Sequence, residues 1–237
     1  TSAFCIEDAQ KVKKLKVDYL KIPSGEITNI PLLKYIGSQN KKTILSTGMS
    51  TIKEIDIAYK TLLLSGLKKK NLIILQCTSA YPTPINELNL NTLLFFKKRY
   101  KVEIGLSDHS TGILTPIIAI GLGAKYIEKH FTISKKLKGP DHKASLIKSE
   151  LKTLIQNIRI LEKSLGNYKK IITKSEKHNK FLVRQSVHAK EDIQKGDKFT
   201  LKNVMLKRPG YGLPPGKLKS LIGKKSKKKY LKESPIK

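Results

Sequence analysis

Along the first 166 positions, short continuous apolar runs alternate with stretches of helical spacing. The runs are "VDYLKIPS" (17–24), "KTILSTG" (42–48), "LIILQCTS" (72–79), "VEIGLSD" (102–108) and "KYIEKHFT" (125–132). Unbroken apolarity of this kind is expected of parallel strands buried on both faces. Between them, "TIKEIDIAYKTLLLSG" opens on a capping box from Thr51 to Glu54 and closes on Gly66. Its apolar positions Ile52, Ile55, Tyr59, Leu62 and Leu63 share one face. From Ile147 to Leu165, residues Ile147, Leu151, Leu154, Ile155, Ile158 and Leu161 recur at helical spacing. A further helix is predicted over 6–16. Strand starts recur about every 25 to 30 residues, the period of a doubly wound sheet or a (β/α)8 barrel.

The strand ends separate these two architectures. Each run finishes in polar residues: Ser24-Gly25-Glu26, Ser46-Thr47, Thr78-Ser79, Ser107-Asp108-His109 and His130-Phe131-Thr132. Polar groups at five successive carboxyl ends converge on one point when the sheet curls into a ring, which is how a barrel builds its active face. No G-x-G-x-x-G follows the first strand, so a dinucleotide fold is disfavoured. The predicted fold is a TIM barrel of which about five of eight strands are present. Three strands are expected upstream, with "TSAF" as the end of the third. Past Gly166 the pattern changes. Residues 167–180 are polar and lysine-rich and read as a linker. From Phe181 to the end, short alternating runs and glycine turns, with prolines at 209, 214 and 215, predict a small β-rich module. The expected domains are therefore 1–166 and 181–237.

With 237 residues and 39% hydrophobic content, a sizeable core is available. No apolar run approaches the roughly 18 residues of a membrane span, and no secretory signal precedes the first strand. Cys5 and Cys77 are far apart and form no metal pattern, so both are expected as reduced thiols in a cytoplasmic protein. The net charge of +30 raises a nucleic-acid reading. It is set aside because the excess is lysine spread over the whole chain. The arginines suited to base readout are only Arg99, Arg159, Arg184 and Arg208.

The candidate chemistry lies at the strand ends. His109 and His130 end neighbouring strands, within reach of one ion. Two imidazoles with water and substrate oxygens suit Mn²⁺ or Mg²⁺ and are too few for a structural zinc site. Lys21 interrupts an apolar strand and must either face the lumen and hold an anion or snorkel outward. Alternation groups it with Pro23 and Gly25, but the irregular Pro-Ser-Gly leaves both options open. Ser24, Ser46 and Ser107 offer hydroxyls to phosphate or carboxylate oxygens.

The stretches "KIPSGEITNIPLL", "ILSTGMST", "LQCTSAYPTP", "IGLSDHSTG" and "IEKHFT…GPDHKASL", in that order, closely resemble the N-acetylneuraminate (sialic acid) synthase family. The tail "KRPGYGLPP…LIGK" resembles that family's C-terminal SAF, or antifreeze-like, domain. The resemblance spans essentially the whole chain. It implies condensation of phosphoenolpyruvate with an N-acyl amino sugar in its open aldehyde form, such as N-acetylmannosamine or the diacetamido sugars of legionaminate and pseudaminate synthesis. A non-catalytic carbohydrate-binding protein is the alternative from another class. Carried over residue by residue, the metal ligands fall on His109 and His130, with Mn²⁺ or Mg²⁺ as the ion. Phosphoenolpyruvate contacts fall on Lys21, Ser24, Ser46 and Ser107, with Ser2 and Ser79 at more variable positions. Sugar contacts fall on Glu26, Tyr81 and Asp141, and Glu26 and Asp141 are the expected catalytic carboxylates. Arg208 matches an arginine of the SAF domain that reaches the sugar, in trans across a homodimer. A glutamate and a lysine that the family carries on its first three strands have no counterpart in this chain. His142 matches no family ligand. Neither nucleic acid nor membrane is implied as a partner.

Overall fold

The computed structural model describes residues 2–237. The chain divides into two compact units, Thr1–Gly166 and Asn167–Lys237, taken separately below.

In the first unit, five strands pair in parallel and in chain order. They are β1 (Leu20–Ile22), β2 (Thr43–Ser46), β3 (Leu72–Cys77), β4 (Glu103–Asp108) and β5 (Tyr126–Lys129). Helices α1 (Ile6–Lys14), α2 (Ile30–Ser38), α3 (Ile52–Leu64), α4 (Thr92–Tyr100), α5 (Leu114–Gly121) and α6 (Lys148–Leu165) accompany them. All five expected strands are present, each shorter than its apolar run because the flanking polar residues turn out of the ladder. The sequential parallel order is that of a barrel wall built strand by strand. An isolated parallel bridge from Ser2 to Lys21 extends the pairing beyond β1, and a second joins Phe131 to Leu146 beyond β5. Of the stretch "TSAF", Thr1 lies outside the described residues.

Alternation along the strands creates two environments. Leu20, Ile22, Leu45, Leu72, Ile74, Ile104 and Leu106 are buried in one core with Leu32, Leu33, Ile36, Ile55, Leu62, Leu93 and Phe96 from the helices. Truncating such a residue to alanine costs about 2–5 kcal/mol. The intervening positions turn the other way, and there the polar residues gather. The capping box of α3 forms as expected, with the Thr51 amide donating to Glu54 at 2.7 Å.

In the second unit, β6 (Ser186–Ala189) pairs antiparallel with β7 (Val204–Lys207). Isolated antiparallel bridges join Ile193 to Tyr230 and Lys198 to Lys225. Val187, Ala189, Ile193, Phe199, Val204, Tyr230 and Ile236 form its core. The segment read as a linker contains most of a helix, α7 (Lys174–Val183), whose Thr173–Glu176 capping box makes a helix start out of polar sequence. A short helix α8 (Leu218–Leu221) completes the unit.

Candidate active site

At the carboxyl ends of β1–β5 lies a cavity of about 520 Å³. Its lining includes Lys21, Ser24, Ser46, Cys77, Ser79, Tyr81, Ser107, His109, Glu128 and His130, with Ser2 at the margin. Of the twelve candidate residues, nine therefore line one space.

Lys21 faces the cavity, which resolves its two alternatives. Its neighbours Leu20 and Ile22 occupy the core, its side chain is only 11% exposed, and its Nζ lies 3.3 Å from Glu128 Oε1. Ser107 donates to that same oxygen at 2.7 Å. Glu128 Oε2 is thus left free of both partners. Ser46 Oγ is buried without a hydrogen-bond partner, alone in this among the described side chains. The cavity thus holds a buried lysine and a buried hydroxyl with a hydrogen bond still to make. Ser24 accepts the Gly48 amide at 2.9 Å and donates to Cys77 Sγ at 3.5 Å. Gly48 has to be glycine: a Cβ there would stand 2.2 Å from Ser79 Oγ and 2.9 Å from Ser24 Oγ.

The two histidines are oriented by their Nδ1 atoms. His109 Nδ1 lies 2.9 Å from the Thr78 carbonyl, which can only accept, so Nδ1 carries a proton and, in the neutral ring, Nε2 has the lone pair. His130 Nδ1 lies 3.5 Å from Asp141 Oδ2, an acceptor of the same kind. The ring centroids are 5.3 Å apart. Tyr81 packs on both, at 4.1 Å from His109 and 5.5 Å from His130. Burial pulls the His109 pKa down, but Cys77 and the Thr78 carbonyl outweigh it and the net shift is upward. Burial pushes the Cys77 thiol up, and the contacts from His109 and Ser24 more than reverse this. The Tyr81 hydroxyl is raised by burial and by the negative charge of Cys77 and Asp141. Imidazoles held at Nδ1 by a carbonyl or carboxylate are the usual form of metal-binding histidines. Among the described residues, no group of three or more His, Cys, Asp or Glu is placed to hold an ion. An ion on these two histidines would therefore keep its other positions for water and substrate, as a Lewis-acid site requires.

Three candidates lie outside the lining. Asp141 is at the mouth, joined to the site through His130. Glu26 belongs to a 3-10 turn over Ser24–Glu26, and its Oε2 accepts from Asn29 at 2.7 Å. Arg208 is an exposed residue of the second unit with no ion pair among the described residues. His142 bonds Thr132 Oγ1 through Nδ1 at 2.9 Å and fastens the loop that carries Asp141. Glu128, Cys77 and Gly48 were not singled out by the sequence reading. Glu128 shares a strand face with His130, and Cys77 with Ser79, but alternation alone does not set either apart from its neighbours.

Comparison with known proteins places the chain in a family. The NeuB family model matches residues 1–170, and the SAF domain model matches 184–237. The N,N'-diacetyllegionaminic acid synthase of Campylobacter jejuni subsp. jejuni serotype O:2 is 43% identical over 236 residues, covering 100% of this chain and 71% of that enzyme. The pseudaminic acid synthase of C. jejuni serotype O:23/36 is 38% identical over 228 residues, covering 96% and 66%. The crystal structure of an N-acetylneuraminic acid (sialic acid) synthetase from Leptospira borgpetersenii, in complex with citrate, superimposes with a TM-score of 0.70 at 34% identity, covering 75% of this chain and 61% of that one. The chain thus spans about two thirds of the length of these proteins. It belongs to the NeuB family and carries a SAF domain at its C-terminal end.

Proposed function

We propose that the full-length protein condenses phosphoenolpyruvate with the open-chain aldehyde of an N-acyl amino sugar, releasing phosphate and a nonulosonic acid. The observation that carries this is the cavity itself, where a buried lysine and an orphaned serine hydroxyl lie beside a pair of directed imidazoles.

Lys21 and the hydroxyls of Ser46, Ser24 and Ser107, with Ser2 and Ser79 at the rim, bind the phosphate and carboxylate of phosphoenolpyruvate. His109 and His130 would hold a Mn²⁺ or Mg²⁺ ion. When bound, that ion supplies Lewis acidity at the aldehyde oxygen. C3 of phosphoenolpyruvate forms the new bond to the aldehyde carbon, water adds at C2, and the C2–O bond to phosphate breaks. Glu128 is the group placed to take the proton from that water, on Oε2, because Lys21 and Ser107 occupy only Oε1. Tyr81 and Asp141 border the open side, where a sugar chain would enter, and Arg208 reaches the sugar from the SAF domain of a partner subunit. Glu26 keeps Oε1 free for the sugar, since Asn29 holds only Oε2.

Identity is higher to the legionaminic acid synthase, 43%, and to the pseudaminic one, 38%, than to the sialic acid synthetase, 34%. This favours, as a second reading of the substrate, a diacetamido sugar over N-acetylmannosamine. The test is to incubate the full-length protein with phosphoenolpyruvate, Mn²⁺ and a panel of N-acyl amino sugars, and to follow phosphate. Release with one or more of the sugars is expected. Release with none would sink the proposal.

A further inference from the structure

We propose that the buried Asp108–Lys129 ion pair is the positioning element for the two histidines, fixing their separation and direction and so setting the affinity of the site for a divalent cation. This rests on the two-histidine reading of the site given above.

Asp108 and Lys129 face each other in the ladder as its last registered pair between β4 and β5. Each immediately precedes one of the histidines. Alternation turns Ser107 and Glu128 into the cavity, Asp108 and Lys129 behind the sheet, and His109 and His130 into the cavity again. Beyond that last pair no ladder bond joins the two strands. Lys129 Nζ lies 2.6 Å from Asp108 Oδ2, with side-chain exposures of 4% and 0%. The same Nζ donates to the Ser110 carbonyl at 2.6 Å, and Asp108 Oδ1 accepts the Ser110 amide at 2.9 Å. Both backbone polar groups of Ser110 are therefore tied to the pair, and His109 is clamped between two pinned neighbours. Its carbonyl is in turn held by the Thr83 amide at 3.0 Å. On the other strand, His130 follows the pinned Lys129, and its carbonyl accepts from Leu146 at 2.8 Å.

Stability alone is a poor account of such a pair. Charges at this depth carry a desolvation cost, and apolar residues of similar volume are often at least as stabilising. What an apolar pair does not provide is direction. Here three short bonds converge on a single turn and leave the two strand ends one relative setting. A two-ligand site has no third protein ligand to correct a splayed geometry, so its affinity depends on that setting more than a three-histidine site would.

The test uses the full-length protein and Mn²⁺ alone, titrated by the loss of the free-ion EPR signal, with circular dichroism and thermal melts in parallel. The double variant Asp108→Leu/Lys129→Met replaces the pair by apolar groups. It is expected to stay folded and to bind Mn²⁺ about 10- to 100-fold more weakly, the usual cost of losing an outer-shell partner. Should it unfold, Asp108→Glu lengthens one arm while keeping both charges, and the same weakening is expected from a folded protein. A folded variant with wild-type Mn²⁺ affinity overturns the proposal. His130→Ala is the control that separates the two claims. If it abolishes Mn²⁺ binding while the pair variants do not, positioning is wrong and the two-histidine site stands. If the wild type and His130→Ala bind alike, the two-histidine reading has failed and the positioning claim falls with it.

Discussion

Replacing Ser46 by alanine separates a binding role from a packing role, because the two predict opposite signs. In the free protein the Ser46 hydroxyl is 1% exposed as a residue and has no partner. A buried, unsatisfied hydroxyl costs about 1–3 kcal/mol. Ser46→Ala keeps Cβ and removes only the oxygen, so little packing is lost. The ligand-free protein should gain about 1 kcal/mol, at the lower end of that range, which for a chain of this size is a rise of about 2–4 °C in Tm. Phosphoenolpyruvate should show the reverse. A hydrogen bond to a charged oxygen contributes about 1.5–3 kcal/mol, so losing it should weaken binding about 10- to 150-fold. Both quantities are measurable on the full-length protein, by thermal melts without ligand and by calorimetric titration with phosphoenolpyruvate. A lower Tm with unchanged affinity would show that the hydroxyl is a structural group and would refute the anion-site assignment.

Five other variants have expected outcomes. Gly48→Ala puts a methyl group 2.2 Å from Ser79 Oγ and should abolish phosphoenolpyruvate binding in a protein whose circular dichroism is unchanged; normal binding would mean that Ser24 and Ser79 do not contact the ligand. His109→Ala and His130→Ala should each remove Mn²⁺-dependent turnover, and near-normal rates in either would exclude that residue as a ligand. Arg99 holds the Asp56 carboxyl below the usual range against the opposing effect of burial, with Tyr100 assisting. The stability this contributes is present above the ordinary aspartate pKa and is lost as pH falls through the depressed one, so Asp56→Asn should flatten the acid limb of the stability–pH curve, and an unchanged limb would show the pair to be idle. Arg208→Ala should raise the KM for the sugar and leave that for phosphoenolpyruvate nearly unchanged, and mixing it with His130→Ala subunits should restore activity if the arginine acts in trans; no recovery after demonstrated subunit exchange would place it elsewhere.

Much of the barrel wall was legible because parallel strands buried on both faces are written as unbroken apolar runs with polar ends. The two histidines could be paired from sequence, since neighbouring strands in chain order bring equivalent ends together. Lys21 could not be assigned. Its strand is three residues long and runs into Pro23, too short for alternation to choose a face, and the choice is made by the core packing of Leu20 and Ile22. Glu128 was hidden for another reason. It reads as one more charge on a polar strand end, and its significance comes from Lys21 and Ser107, both distant in the chain. Asp108 and Lys129 likewise become a pair only through the register of β4 on β5. The helix α7 escaped because its start is a capping box within lysine-rich sequence, without an apolar face to announce it. What the sequence leaves implicit is consistently the partner across strands, which depends on register rather than composition.

The central claim is that one cavity joins the two substrates with loss of phosphate from C2. Its most direct test supplies the full-length protein with phosphoenolpyruvate carrying ¹⁸O at the oxygen that bridges C2 and phosphorus, together with Mn²⁺ and an N-acyl amino sugar. The account predicts that the label leaves with the phosphate, and that one phosphate appears for each sugar consumed. Label retained in the organic product, or phosphate released at the same rate without any sugar, would contradict it.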